Sequence, residues 1–310
     1  MSGPPRPTTA ERGAPVPVAG AEPTADAGLT SGADLGPDAG PGSGADLGPD
    51  AGPGSGEDPG SDAAAGSGGG WDERCAAVLA DVTWRVEQVL AAVAALGEEA
   101  AAIAAQAGRA GRLLRRTDLT ALRPTVAGVL SEHADLAVGA GVVLAPGALA
   151  DAPRCIEWWW ADQGAGLSQL HVDLDPESAE FYDYTTTDWY RVPERTGHPA
   201  VAGPYVDYIC THQYTFTVSV PVSLEGRFAG VAGADILAAQ VEQLALPGLS
   251  GLGRTAVLVS GTGRVIASNT AGVLPGVPAQ RQPGCAELVP AAGPGATPGP
   301  LPWTLLTGPA

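Results

Sequence analysis

Twelve apolar or small residues between Cys75 and Leu114 recur at alternating steps of four and three, and this spacing constrains the fold more than any other feature. The positions are Cys75, Leu79, Val82, Val86, Val89, Val93, Leu96, Ala100, Ile103, Ala107, Ala110 and Leu114. A heptad pattern of this kind predicts one long helix with a single apolar seam. Forty helical residues span about 60 Å, so the seam either packs against two successive modules of the chain or forms a homodimer.

The segment before this helix has a different composition. Residues 1–70 contain 10 Asp or Glu, 2 Arg and no aromatic residue, among long runs of Gly, Pro, Ala and Ser. They bury too little apolar surface to offset conformational entropy, which predicts a disordered acidic tail. The unit GADLGPDAGPGS occurs at 32–43 and again at 44–55. With one Leu per unit it cannot build a stacked repeat fold, so we interpret it as an expanded linker.

Charge excludes several classes of function. The net charge is −18, and no basic surface is available to neutralise phosphates, which argues against nucleic-acid partners and anionic membrane surfaces. All 16 basic residues are Arg. The absence of Lys rules out a Lys Schiff base and a P-loop.

The sequence lacks certain motifs that would indicate a cellular location or a role for its thiols. No run of about 18 apolar residues occurs and the N-terminus lacks a signal-peptide core, so we expect a cytoplasmic chain without a membrane span. The four cysteines, Cys75, Cys155, Cys210 and Cys285, form no CxxC pair. Reduced, buried thiols are expected, although the sequence leaves pairing of Cys155 with Cys210 open.

The pattern changes after a second predicted helix at 121–137. Strands are predicted at 139–145, 155–161, 168–174, 205–212, 213–223 and 227–236, followed by a short helix at 236–246, a hairpin at 255–269 and a closing strand at 302–308. In 213–223, Tyr214, Phe216, Val218 and Val220 alternate with Thr215, Thr217 and Ser219, which predicts an antiparallel strand with one covered face.

The predicted fold class is α+β, with a long N-terminal helix, antiparallel sheet modules and a disordered tail in front. We divide the chain into the tail (1–70), a helical part (71–137), a first sheet module (138–246) and a smaller second module (247–310).

Aromatic and acidic residues are densest in FYDYTTTDWYRVPERTG (181–197), GPYVDYICTHQYTFTVSVPV (203–222) and VAGADI (231–236). The arrangement resembles the ligand-binding module of the double Cache (dCache) family of sensor domains, over 75–310 in architecture and specifically over about 180–236. The resemblance implies PAS-like sheet modules, of which 138–246 is the ligand-binding one and 247–310 the smaller second one. The resemblance implies that ligand contacts come from Tyr182, Trp189, Tyr190, Tyr205 and Asp235.

One position departs from the amino-acid-binding pattern of that family. Thr187 stands where the resemblance expects the Arg that pairs with an amino-acid carboxylate. Nearby Asp188, Asp207 and the aromatic faces favour a cationic amine instead. Arg191 and Arg195 are close enough in sequence to restore carboxylate binding, so an amino acid remains the alternative ligand.

Individual roles follow from strand alternation. Asp207 should share a strand face with Tyr205, and Asp235 should accept hydrogen bonds from an ammonium group. In the Trp triplet, Trp158 and Trp160 share one face and Trp159 takes the other, as core residues or as a pocket floor. Glu157 is either an exposed residue or a further pocket acid.

The sequence gives less support to an enzymatic function than to ligand binding. His171, Asp173 and Asp175 share a predicted strand face, but Asp175 precedes Pro176 and is explained as a helix cap, so no metal is expected. SGTGR (260–264) lies between two strands and predicts a hairpin turn rather than a phosphate loop. No nucleophile motif is found.

The sequence therefore predicts a non-enzymatic sensor without a cofactor that binds a small cationic amine or amino-acid-like ligand. Ligand entry is expected to order 176–204 over the sheet, and an output partner is expected to act in trans. The alternative function is an assembly protein that acts through the long helix.

Overall fold

The computed structural model describes residues 68–162, 166–209, 211–280, 286–288 and 301–308. The predicted tail up to residue 67, together with Cys210 and Cys285, lies outside the described residues. The elements, in chain order, are α1 (Gly68–Arg109), α2 (Arg116–Leu119), a 3-10 turn (Thr120–Leu122), α3 (Arg123–Glu132), β1 (Ala137–Leu144), β2 (Cys155–Asp162), β3 (Gly166–Gln169), a second 3-10 turn (Tyr184–Thr186), α4 (Asp188–Thr196), β4 (Ala200–Val206), β5 (Tyr214–Leu224), β6 (Arg227–Leu237), α5 (Ala238–Ser250), β7 (Ala256–Val259), β8 (Val265–Ser268), β9 (Ala286–Leu288) and β10 (Thr304–Thr307).

Two antiparallel sheets organise the described chain. The first has the strand order β3-β2-β1-β6-β5-β4, and the second has the order β8-β7-β10-β9. The long helix followed by antiparallel sheet confirms the predicted α+β class. The turn predicted at 260–264 joins β7 to β8, where Gly263 has a φ of 77°.

Two predicted strands differ from the structure. The strand predicted at 168–174 ends at Gln169, and the strand predicted at 205–212 instead runs from Ala200 to Val206. Asp207 ends this second strand because its carboxylate accepts hydrogen bonds from the backbone N–H groups of Ile209 and Thr211, at 3.0 Å and 2.8 Å. Such side-chain bonds to nearby backbone favour a turn over a continuing ladder.

The seam of α1 is buried against the first sheet and α5. Ten of the twelve predicted seam positions are buried, while Ile103 is half-buried and Ala110 is exposed beyond the end of the helix. Because the seam is covered by strands β5 and β6 of the same chain, the packing interpretation holds and this face is not free to form a homodimer. Leu114 reaches the core after the helix has ended at Arg109.

Gly97 of α1 packs directly against the first sheet. A Cβ at this position would lie 3.4 Å from the Ala232 Cβ and 3.4 Å from a Val220 methyl group. We expect Gly97→Leu to destabilise the fold by about 1–3 kcal/mol, because the added carbons would overpack this contact. Urea unfolding measures this change. Gly108→Leu on the same helix is the matched control, since a Cβ there has no neighbour within 4 Å, and an equal loss in both variants would contradict the packing argument.

The helix α1 also corrects an expectation about membranes. Its Gly70–Arg109 stretch is long and apolar enough to cross a bilayer by length and composition. The prediction of no membrane span is therefore not supported. Length and composition do not distinguish a spanning helix from the core helix of a globular protein, and the seam of α1 is packed in the core.

Candidate functional site

A small chamber lies on the face of the first sheet opposite α1, and a wider cleft adjoins it. The chamber has a volume of about 40 Å³ and is lined by Val143, Ile156, Trp158, Leu170, Tyr182, Trp189, Tyr205, Asp207, Ile209, Thr217 and Asp235. The cleft has a volume of about 590 Å³. The two cavities share five lining residues, Tyr182, Trp189, Tyr205, Asp207 and Ile209. A ligand in the chamber would therefore continue into the cleft past these residues.

Three neighbouring strands place the polar groups of the chamber. Thr217 on β5 pairs in register with Asp235 on β6, and its hydroxyl donates to the Asp235 Oδ1 at 2.7 Å. The hydroxyl of Tyr205, at the end of β4, is hydrogen-bonded to the same Thr217 Oγ1. The three side chains thus form a continuous polar line across the sheet.

The polar face of β5 is buried, not solvent-exposed. The sequence predicted one covered face, but Thr215, Thr217 and Ser219 are as buried as Phe216 and Val218 on the opposite face. The reason is that α4 covers this side of the sheet: the Ser219 hydroxyl donates to the Trp189 carbonyl at 2.7 Å. Buried hydroxyls of this kind need partners. The Trp189 carbonyl of α4 supplies one for Ser219, Asp235 one for Thr217, and the Gln213 carbonyl one for Thr215 at 3.2 Å.

Trp158 lies at the floor of the chamber, and glycines beneath it make room for its indole. A Cβ on Gly139 would lie 2.8 Å from the indole Nε1, and a Cβ on Gly233 would lie 3.2 Å from its ring. The same Cβ on Gly139 would also lie 3.5 Å from Asp235 Oδ2. The Trp158 N–H is buried and has no hydrogen-bond partner among the described residues. Trp158 combines the two roles left open for it, since it lines the chamber and also packs in a hydrophobic cluster on this face, whereas Trp159 packs in the core on the other face.

Asp235 carries the unusual electrostatics of the chamber. It is 8% exposed, and no Arg or His of the described residues forms an ion pair with it. Burial and, more weakly, the nearby Asp207 raise the pKa of Asp235 to about 7, against the opposing effect of the Thr217 hydrogen bond. Burial together with the Asp235 charge also raises the pKa of Tyr205, so its hydroxyl stays protonated. The chamber therefore favours a positively charged ligand, which would pair with the otherwise unpaired carboxylate of Asp235.

The predicted site residues divide into three groups. Tyr182, Trp189, Tyr205, Asp207 and Asp235 line the chamber, and Thr187 and Asp188 line only the cleft. Tyr190 lines neither cavity, contrary to its expected role as a wall: it packs edge-on against Tyr184 and Phe228, with ring centroids 5.3 Å and 5.4 Å away. Asp207 contributes to the wall, but its carboxylate also holds the following turn.

Other expected acids and bases lie elsewhere. Glu157 is buried on the sheet face opposite the chamber, where it accepts a hydrogen bond from Gln169 at 2.6 Å and pairs with Arg116. Arg191 and Arg195 line neither cavity, so they do not supply the missing carboxylate partner. Around His171, and in the rest of the described chain, no three His, Cys, Asp or Glu side chains converge as metal ligands would.

Sequence reasoning missed Thr217 and the aliphatic wall of Val143, Ile156, Leu170 and Ile209. The signal for Thr217 was present, because a run of hydroxyl residues alternating with large apolar ones marks a second face that needs partners. The aliphatic residues gave no such signal, since their pattern is that of any sheet core.

Comparisons with known proteins agree with this architecture. Residues 126–243 match the family model described as the first PDC sensor domain of methyl-accepting chemotaxis protein-like proteins. The methyl-accepting chemotaxis protein TlpQ of Pseudomonas aeruginosa is 32% identical over 109 residues, which cover 32% of this chain and 15% of TlpQ. The chain thus matches only a small part of the length of this curated relative.

The chain is also similar to solved structures. The structure titled Methyl-accepting Chemotaxis protein X has a TM-score of 0.50 at 19% identity and covers 66% of this chain and 75% of its own. The sensory domain of the Campylobacter jejuni chemoreceptor Tlp3, solved with isoleucine bound, has a TM-score of 0.44 at 20% identity and covers 67% of this chain and 75% of its own. Chemoreceptor relatives do not support the expected cytoplasmic location. Residues 126–243 are thus similar in sequence to sensor domains of the PDC, or Cache, type, and the chain shares its fold with a chemotaxis protein.

Proposed function

We propose that this sensor domain binds a small cationic amine or amino-acid-like ligand, with the ligand ammonium group in the chamber beside Asp235. The observation that carries the proposal is a buried carboxylate that lines a cavity without a cationic partner among the described residues. Burying an unpaired carboxylate is costly, and an ammonium group that donates to it removes that cost.

The other chamber walls suit the same guest. Trp158, Trp189, Tyr182 and Tyr205 present aromatic surfaces, which attract a cation that has left water. The chamber of about 40 Å³ is large enough for a head group of a few heavy atoms, because one water needs roughly 10–15 Å³ on this measure. The rest of the ligand would then occupy the adjoining cleft.

The proposed output uses the two faces of β5. Thr217 and Ser219 contact the chamber and α4 on one face, while Val220 and Val222 pack against Gly97 of α1 on the other. A change in how α4 sits over the ligand would reach α1 through this strand. In the proposed mechanism, α1 then passes the signal to a partner protein in trans.

A thermal-shift comparison of charged and neutral ligands tests the proposal. We expect n-butylamine or a longer n-alkylamine to raise the melting temperature at millimolar concentration, with about 2.7 kcal/mol of stabilisation when ligand is at 100 times its Kd. The matching n-alcohols are the control, because they have the same shape and no charge. Equal shifts from amines and alcohols, or no shift from any amine, would contradict an ammonium site.

A further inference from the structure

The mouth of the site is built by both modules. The cleft next to the chamber is lined mainly by residues of the first module, but Thr262 and Arg264 come from the turn between β7 and β8 of the second. The Thr262 hydroxyl reaches the Gly203 carbonyl of β4 at 3.5 Å. The Ser260 hydroxyl accepts a hydrogen bond from the Arg264 N–H at 3.2 Å, which holds the turn that presents this Arg.

Among the described residues that line the cleft, Arg264 is the only basic one, and most of its guanidinium N–H groups have no hydrogen-bond partner in the described chain. One guanidinium nitrogen donates to the Gly276 carbonyl at 2.8 Å, and Arg264 forms no ion pair with a described residue. A guanidinium has five N–H donors, which are suited to bidentate binding of a carboxylate. The two acidic residues of the cleft are otherwise engaged: Asp207 holds its turn, and Asp188 lies in the first turn of α4, where the helix dipole stabilises it.

The chamber itself cannot accept a carboxylate. Its lining includes Asp235 and Asp207, and no basic residue of the described chain lines it. An α-amino acid carries its carboxylate one carbon from its ammonium group, so with the ammonium at Asp235 the carboxylate would be buried without a cation. Thr187, which replaces the Arg expected from the family resemblance, lies in the cleft, and its hydroxyl donates to the Tyr184 carbonyl at 2.7 Å.

We infer that the second module supplies the anion-binding group of this site: Arg264 binds the carboxylate of an ω-amino carboxylic acid whose ammonium group lies at Asp235. The inference rests on the proposed function, since it requires the ammonium to occupy the chamber. It makes the ligand a bridge between the modules, with its charges separated by a carbon chain that runs from the chamber into the cleft.

Calorimetric titration with three sets of probes tests this assignment. The probes are ω-amino acids from 4-aminobutanoate to 6-aminohexanoate, the n-alkylamines of the same chain length, and 2-aminopentanoate, an isomer of 5-aminopentanoate. We expect the best ω-amino acid to bind about tenfold or more tightly than its n-alkylamine, because it adds a charge-assisted hydrogen bond. We expect 2-aminopentanoate to bind more weakly than both.

Variants separate the two ends of the ligand. Arg264→Gln should remove the affinity advantage of the ω-amino acid over the n-alkylamine and leave n-alkylamine affinity within about twofold of the wild-type value. Arg264→Lys should retain part of the advantage of the ω-amino acid. Arg191→Gln is the matched control, because Arg191 is exposed on α4 and lines neither cavity. If the wild type bound n-alkylamines as tightly as ω-amino acids, or if Arg264→Gln kept the preference for ω-amino acids, the role of Arg264 would be overturned while the ammonium site would stand. Absence of any amine binding by the wild type would instead overturn the proposed function, and this inference with it.

Discussion

Asp235→Asn should remove most of the affinity for small amines, lowering it by about 30-fold or more. Losing one partner of a buried, hydrogen-bonded charge pair costs about 2–5 kcal/mol, because the other charge is left in the cavity unpaired. Asn keeps the shape of the side chain and still accepts the Thr217 hydrogen bond through its amide oxygen. Calorimetric titration of n-alkylamines at about pH 8 measures the loss.

The same substitution should stabilise the ligand-free protein at high pH. The pKa of Asp235 is about 7 in the fold, and about 3.9 when unfolded. Between these values the folded chain holds a proton that the unfolded chain has released, so wild-type stability falls by about 1.4 kcal/mol per pH unit as pH rises. Asn does not titrate, and we expect its stability advantage to grow by about 3 kcal/mol between pH 5 and pH 8.

Asp188→Asn is the matched control for both measurements. Asp188 is exposed and lines the cleft but not the chamber, so its loss should change amine affinity and the slope of stability against pH very little. If Asp235→Asn bound amines as well as the wild type, the buried carboxylate would not be the ammonium partner.

Amine affinity should itself depend on pH, falling about tenfold for each unit below pH 7. An ammonium group binds the ionised carboxylate, and below its pKa of about 7 the ligand-free Asp235 is mostly protonated. Alkylamines remain charged throughout this range, so the change belongs to the protein. Titrations from pH 5 to pH 8.5 should show an affinity that rises and then levels above pH 7, with about 100-fold between pH 8.5 and pH 5.

Two observations would distinguish titration of Asp235 from a general effect of pH on binding. The weak residual affinity of Asp235→Asn should not change over the same interval, because its side chain has no proton to lose. A pH-independent wild-type affinity would place the bound ammonium away from Asp235.

Local patterns predicted most of the fold because each reports a nearby physical requirement. The steps of four and three along α1 follow from burial of one helix face, and the alternation in β5 follows from the pleat of a strand. What this alternation could not show was that α4 covers the polar face, since that depends on a segment more than twenty residues away. For the same reason the seam alone did not distinguish a partner chain from the sheet of its own chain.

The candidate site was predicted where its residues lie on strands and less well where they lie on a helix. Tyr205 and Asp207 share the chamber, as a period of two requires. Trp189 and Tyr190 were expected to act together, but they lie in α4, where successive residues point about 100° apart. Trp189 therefore faces the chamber, while Tyr190 enters the core. Arg264 could not be foreseen, because no local pattern relates a turn of the second module to the cleft of the first.

The glycines under Trp158 have a consequence for how this site can diversify. Gly139 and Gly233 set how deeply the indole lies in the sheet, and neither lines the chamber. An alanine at Gly233 would bring a methyl group 3.2 Å from the ring and 3.0 Å from the Val218 carbonyl oxygen, so the indole or the strand would have to shift. The depth of the chamber can thus be changed from beneath, by one or two carbon atoms on the strands, while every group that lines it keeps its identity.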